Sequence, residues 1–274
     1  MAPRRKGHHP DIAQAKARKL PRQVSAVCWV DLLGYGGMIA GGSFDPLSPQ
    51  AKEAIQRLRA FHRIVAEHSD RNFRTLVLND GAAAQRDLSF RSVGPTHQFL
   101  ARAFDLYNAL QASEYRNGWP GARMFVATGF RALGSRRSID LGRTQLGSIL
   151  ERLAAGAISA DQAVREAASI ERYFDVIPQL QANFAFTKAY VADSIGSRGG
   201  FSGPQFFVDE LFFDDGIPAW ATGGAIISFR DDRLDLSGSF FPVTNILAPG
   251  KLDAASSGIR NATQIASVLS GSIK

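Results

Sequence analysis

The first half of the chain alternates between apolar and polar blocks that predict strands and helices in turn. Ser48-Pro49 predicts a helix start, because Ser caps a helix and Pro fits its first position. Asn79-Asp80-Gly81 lies between two apolar runs and predicts a hairpin. The predicted elements are a strand at about 24–32, a helix from Ser48-Pro49, a hairpin at about 72–90, a helix at about 94–113 and a strand at about 123–130.

The second half begins with a segment in which apolar residues recur at helical spacing, and the strand pattern returns after it. Residues 132–179 carry apolar positions at helical spacing, which predicts a helical insertion between core elements. The elements predicted after it are a helix at about 180–195, a short strand at Phe206-Phe207-Val208, a hairpin at about 225–236 and a helix at about 256–272.

The resulting core order is β-α-β-β-α-β, then the insertion, then α-β. This order predicts an α+β fold with a ferredoxin-like, antiparallel-rich sheet and helices on one face. We expect one domain over residues 23–274, interrupted by the insertion at about 132–179.

The formal net charge of +7 is concentrated in the first 22 residues, which hold seven Lys and Arg against Asp11. The rest of the chain is therefore near neutral and does not predict a basic groove for nucleic acid. We expect the basic stretch 1–22 to be a disordered tail, and nucleic acid to be an unlikely partner except through it.

The cysteine count and the absence of long apolar runs bear on where in the cell the protein is expected. The single cysteine, Cys28, cannot form an internal disulfide. It lies in the first predicted strand, where we expect it to be a small buried apolar residue. No apolar run approaches the ~20 residues of a membrane span, and the N-terminus lacks the apolar core of a secretory signal. We expect a cytoplasmic protein without a membrane span.

The first candidate for chemistry is Asp31, which ends the strand Val27-Cys28-Trp29-Val30 and is followed by a glycine-rich loop. A carboxylate directly after buried residues needs compensation, which a bound cation would provide. The alternative is an Asp that caps the next helix or closes the strand.

The second candidate is Asp80, at the tip of the predicted hairpin. Its alternative is structural, because Asn and Asp tolerate the positive φ of tight turns.

These motifs together resemble class III nucleotide cyclases. Val30-Asp31-Leu32-Leu33-Gly34-Tyr35 is similar to the family's first-strand motif, and Asn79-Asp80-Gly81 falls where the family has its hairpin Asp. The strand from Arg123 to Gly129 and the helix from Phe184 to Asp193 are similar to later core elements. The chain also resembles bacterial proteins that have an Asp-x-Leu-Gly-aromatic start and a cyclase-like layout.

The resemblance implies that Asp31 and Asp80 hold divalent ions, Mg²⁺ or Mn²⁺. It also implies that Gly34, Gly36 and Gly37 let backbone N–H groups approach the phosphates of a nucleoside triphosphate. The implied reaction yields a cyclic nucleotide and pyrophosphate, in a lyase that often works as a homodimer.

The chain departs from the family on the later helix, where Thr187 and Val191 stand near the positions of a ribose-orienting Asn and a phosphate-stabilising Arg. Lys188 and Arg131 are the candidates to supply the positive charge, and Asn183 the side-chain amide. Two other functions stay open: a catalytically weakened nucleotide or metal sensor, and an interaction module carried by the tail and the insertion.

Overall fold

The computed structural model describes residues 22–133, 141–170, 177, 179–247 and 257–271. The chain divides into two compact units: the larger comprises residues 23–131 and 183–274, and the smaller includes residues 132–182. The tail before Arg22, and the parts of the insertion at 134–140, 171–176 and 178, lie outside the described residues.

The larger unit contains the sheet and most of the helices. Its strands are β1 (Arg22–Leu32), β2 (Thr75–Leu78), β3 (Gly81–Asp87), β4 (Ala122–Ala132), β5 (Phe206–Asp209), β6 (Ala221–Gly223), β7 (Ile227–Asp231) and β8 (Leu236–Ile246). Its helices are α1 (Tyr35–Gly41), α2 (Pro49–His68), α3 (Gly94–Arg116), α6 (Phe184–Ile195) and α7 (Ala262–Leu269), and the smaller unit holds α4 (Leu141–Ala154) and α5 (Ala160–Ala168).

The strand order confirms the predicted fold class. The eight strands form one sheet in the order β2-β3-β1-β4-β5-β8-β6, with β7 also paired to β8. The first four strands therefore have the order of a ferredoxin-like β-α-β-β-α-β unit. Strand β5 adds in parallel to β4, and β8 adds antiparallel to β5.

The hairpin forms as its sequence predicts. Asn79 has a φ of +57°, which Asn adopts more readily than most residues, and it joins β2 to β3 in a two-residue turn. The register of β1 on β3 places Asp31 opposite Gly81. This pairing brings the end of β1 beside the tip of the hairpin.

One face of the sheet carries the main apolar core against α2, α3 and α7. Alternate residues of β1 point into it, as expected for a strand buried on both sides, and Phe61 and Phe99 meet them from the helices. The Ser48 hydroxyl caps α2 by accepting from the Ala51 amide at 3.1 Å, as predicted.

The opposite face carries α6, an addition to the two helices of the ferredoxin-like core. Phe125, Phe201, Phe207 and Phe240 form a cluster of rings there, with centroids 4.8–5.9 Å apart. Beyond this cluster, Trp29 of β1 packs edge-on against Phe186 and Tyr190 of α6.

Two elements differ from the sequence interpretation. The segment 35–41, expected to be loop, is helix α1; its glycines lower its propensity, so periodicity gives no signal. Strand β8 continues to Ile246, far beyond the predicted hairpin, because it pairs with β5, β6 and β7 at once.

The smaller unit has a small apolar core of its own. Ile149, Ile158 and Ala163 form its centre, and Arg152 pairs with Glu166 at 2.7 Å on its surface. Helices α4 and α5 fall within the range of the expected insertion.

Membrane-spanning helices are absent from the part of the chain that the structure describes, since none of its helices is both long and apolar enough.

A buried histidine makes the stability of the larger unit depend on pH. His97 is 1% exposed and packs edge-on against Trp220, and its Nε2 has no hydrogen-bond partner among the described residues. Burial lowers its pKa, so the unfolded state binds the proton more readily. The free energy of unfolding should therefore fall as the pH drops below about 6.5.

The variant His97→Phe should show a smaller loss of stability between pH 8 and pH 5 in urea unfolding. The control His68→Phe changes a histidine that is only partly buried, and should leave the loss as in wild type. An equal loss in His97→Phe and wild type would contradict this assignment.

Candidate functional site

Asp31 and Asp80 lie at the same end of the β1–β3 pair. Asp31 faces Gly81 in the register, and the Leu32 amide donates to the Asp80 carbonyl at 3.1 Å. Asp31 and Asp80 are both partly buried. The side-chain amide of Asn79 donates to Asp80 Oδ1 at 3.0 Å. The structure thus brings the two predicted metal ligands together.

The electrostatic setting disfavours a charged Asp31. Burial raises its pKa to about 7, and the neighbouring carboxylates of Asp193 and Asp80 add to the rise. The guanidinium groups of Arg123 and Arg57 act in the opposite direction without cancelling it. The site holds more negative charge than its own cations offset.

Asp193, which the sequence analysis did not single out as a site residue, belongs to a buried network beside Asp31. Its carboxylate accepts from Arg123 Nε at 2.7 Å and from Trp29 Nε1 at 3.0 Å. Arg123 also donates to the carbonyls of Asp193 and Phe201, at 2.8 and 3.0 Å. These bonds join β1, β4 and the end of α6, and they fix the surface from which Asp31 projects.

Gly81 allows the hairpin tip to approach this network. A Cβ at Gly81 would lie 2.6 Å from the Trp29 ring, closer than side-chain contacts allow. Packing against Trp29 therefore favours glycine directly after Asp80.

A buried ion pair lies beneath the loop that follows Asp31. Arg57 Nη2 donates to Glu114 Oε2 at 2.6 Å, to the Leu33 carbonyl at 3.0 Å and to the Gly121 carbonyl at 3.1 Å. Glu114 Oε2 also accepts from the Gly121 amide at 3.0 Å. The pair thus ties α2 and α3 to the loops after β1 and before β4.

The three predicted phosphate-binding glycines surround the start of α1. Gly34 has a φ of +73° and precedes the helix, while Gly36 and Gly37 lie in its first turn. First-turn amides have no acceptor within their own helix. No atom lies within 4 Å of a Cβ built at Gly36 or Gly37, so the surface there is open.

Arg131 does not belong to this site, and its expected role is corrected. It lies at the other end of β4 from Arg123, where its guanidinium forms a two-pronged pair with Asp87. The Leu33 amide donates to the Gly121 carbonyl at one end, and the Thr128 hydroxyl donates to the Ser25 carbonyl towards the other. Strands β4 and β1 therefore run antiparallel, and Arg131 is near the start of β1. Six residues of strand, about 20 Å, separate Ser25 from Asp31.

Asn183 and Lys188 are likewise placed elsewhere. Asn183 caps α6, accepting from the amides of Ala185 and Phe186 at 3.1 and 3.2 Å. Lys188 is buried and pairs with Asp209 at 2.7 Å. Both residues make structural contacts at or near the N-terminal end of α6, whereas Asp193 lies near its C-terminal end. Neither is therefore positioned to contact a group held at Asp31.

A divalent ion fits the pair Asp31 and Asp80 in one particular way. Mg²⁺ is commonly held by one or two carboxylates and completes its shell with waters and phosphate oxygens. Among the described residues, no group of three or more His, Cys, Asp or Glu side chains offers a complete metal site. An ion held by this pair would have to complete its shell with waters or with oxygens of a ligand.

Two solved structures are similar to this chain. The first is the guanylyl cyclase Cya2, with a TM-score of 0.47 and 13% identity over 85% of this chain and 98% of that chain. The second is the dimeric guanylyl cyclase domain of the RhoGC fusion protein from the aquatic fungus Blastocladiella emersonii, with a TM-score of 0.39 and 8% identity over 81% of this chain and 98% of that chain. No protein-family model and no curated protein matches the sequence.

The strand order, independently of these scores, establishes the fold. It is the ferredoxin-like arrangement that the resemblance to class III nucleotide cyclases implies. The α+β fold class with a ferredoxin-like, antiparallel-rich sheet, expected from the sequence, is therefore confirmed.

The buried pair under the loop should be strongly coupled. Arg57→Met should lower the free energy of unfolding by about 3–5 kcal/mol, because it leaves Glu114 buried without its cation. Urea unfolding of Arg57→Met, Glu114→Leu and the double variant tests this. The double variant should lose clearly less than the two single losses combined; strict additivity would contradict a direct pair.

The raised pKa of Asp31 predicts that the stability of the folded protein depends on pH. Its folded-state pKa of about 7 exceeds the unfolded value near 3.9, so its contribution to stability is lost as the pH rises through 7. In the presence of a chelator, Asp31→Asn should melt at a higher temperature than wild type at pH 8, and the gap should close towards pH 4. A variant that is less stable than wild type at pH 8 would contradict this.

Proposed function

We propose that this chain binds a nucleoside triphosphate together with Mg²⁺ or Mn²⁺ and converts it to a cyclic nucleotide and pyrophosphate. The observation that carries the proposal is the pairing of Asp31 and Asp80 at one end of the sheet, beside the open first turn of α1.

In this proposal Asp31 and Asp80 hold the divalent ion. When bound, the ion would neutralise triphosphate charge and acidify the ribose 3′-hydroxyl that attacks the α-phosphorus. Asp193 and Arg123 position Asp31, since their mutual bonds keep both side chains beside it. The side chains of the protein thus hold the ion and orient the nucleotide.

The phosphates would lie against the start of α1. Gly36 and Gly37 expose their backbone there, and first-turn N–H groups attract anions. Arg57 keeps the preceding loop in place through the Leu33 carbonyl. A side chain at either glycine would cover the amides that the triphosphate needs.

The proposal includes a homodimer. Arg123 and Arg57 face Asp31, but each is bonded to a buried carboxylate of its own. A transition state that spreads charge over phosphate oxygens needs further cations. We propose that a second copy of the chain supplies them across the site.

A second candidate is a nucleotide sensor that binds without turnover. Thr187 is exposed and donates to the Asn183 carbonyl at 3.4 Å, and Val191 is buried, so α6 presents neither an amide nor a guanidinium at the positions where the family has them. This observation favours binding over catalysis. The same assay separates the two.

The test incubates the protein with each of the four nucleoside triphosphates and Mn²⁺, and measures cyclic nucleotide and pyrophosphate. Asp31→Asn and Asp80→Asn should each cut turnover by at least about a hundredfold, since even outer partners of metal ligands cost 10–100-fold. The matched control Asp105→Asn removes an exposed carboxylate from α3 and should behave as wild type.

The results of this assay distinguish the cyclase, the nucleotide sensor and the interaction module. Metal-dependent binding that both site variants abolish, without product, would support the sensor and contradict the cyclase. Neither binding nor product would contradict both and favour an interaction module.

A further inference from the structure

A separate pocket of about 360 Å³ is lined by the first half of α6, by strands β7 and β8, and by Leu269 at the end of α7. Its apolar walls are formed by Phe130, Phe184, Leu211, Phe229, Leu236 and Leu269. The volume falls within the range of small-molecule sites, roughly 300–1,000 Å³. An apolar pocket of this size with a few polar groups is the usual form of a ligand site.

The buried charges of the lining are the pair Lys188 and Asp209. Asp209 accepts from Lys188 Nζ at 2.7 Å and from the amides of Thr128 and Leu211 at 3.0 and 3.2 Å. The Lys188 ammonium makes this one hydrogen bond among the described residues, although the residue is only 7% exposed. An ammonium has three N–H donors, so two are left for a ligand.

Local packing fixes the direction of the lysine. A Cβ at Gly238 would lie 3.3 Å from Lys188 Cδ and 2.9 Å from the Phe229 ring. The glycine therefore lets the lysine stem and the ring pass close to each other, and the ammonium is held at the pocket.

The charge of the lining selects the ligand class. Lys188 is balanced by Asp209, and Glu210 adds a second carboxylate to the lining. An anion would meet a net negative site, whereas a neutral acceptor can bind the spare N–H groups. The aromatic walls favour a flat ring.

We propose that this pocket binds a neutral, flat ring compound with a carbonyl or ring-nitrogen acceptor, the class to which nucleobases and nicotinamide belong. The acceptor takes a hydrogen bond from Lys188, and the ring lies between Phe184 and Phe229. The pocket includes Thr128, which bonds to Ser25, about 20 Å along β1 from Asp31. The pocket is thus separate from the proposed site at Asp31, and the inference does not rest on the proposed function.

The test compares two neutral ring compounds with an anionic counterpart of one of them. Saturation-transfer NMR and calorimetry measure binding of nicotinamide, its carboxylate counterpart nicotinate, and adenine at up to millimolar concentrations. Nicotinamide and adenine should bind, and nicotinate should bind at least several-fold more weakly than nicotinamide.

Two variants connect the binding to this pocket. Lys188→Met should weaken nicotinamide and adenine by about tenfold or more, the value of a hydrogen bond to a charged group. Because that change leaves Asp209 buried without its partner, Ser228→Phe provides a second route: it fills the pocket from an exposed position and leaves the ion pair intact. The control Arg230→Phe lies on the same strand outside the lining.

The proposal is supported if Ser228→Phe abolishes binding of the neutral probes while Arg230→Phe retains it. It is overturned if neither neutral probe binds, if nicotinate binds as well as nicotinamide, or if Ser228→Phe binds like wild type. None of these results depends on turnover of a nucleoside triphosphate, so they are distinguishable from a failure of the proposed function.

Discussion

The buried pair of Arg57 and Glu114 is the constraint on which the arrangement around Asp31 depends. One guanidinium and one carboxylate satisfy backbone groups of two loops, at Leu33 and at Gly121. Burying both charges is costly unless geometry and additional hydrogen bonds compensate. Here the hydrogen bonds to the backbone supply that compensation. The same bonds hold the loop that contains Gly34 in place.

A second network has a comparable role on the opposite face. Asp193 is bonded to Arg123 and to Trp29, and together they connect α6 to the strand that ends at Asp31. The result is a carboxylate in surroundings that do not favour its charge. In the proposed function, a bound dication would favour the charged form of Asp31, and Asp80 would be the second ligand of that ion.

The periodicity of the chain was sufficient for the core topology, because β1, the hairpin and helices α2 and α3 have strong local signals. Pairing between distant residues was not accessible in the same way. Arg131 has the right charge for a phosphate, but its bond to Asp87 depends on how β4 and β3 lie in the sheet. Lys188 was singled out from its charge as well, and only the packing of α6 shows that Asp209 holds it. Asp193 is unremarkable in sequence until Arg123, 70 positions away, is brought beside it.

The most direct test of the central claim is a crystal structure with Mn²⁺ and a non-hydrolysable nucleoside triphosphate analogue, using the anomalous signal of the metal. The account predicts an anomalous peak between the carboxylates of Asp31 and Asp80, with the phosphates of the analogue at the first turn of α1. A peak at another acidic group, such as the turn after β7 at Asp231 and Asp232, with none at Asp31, would contradict it.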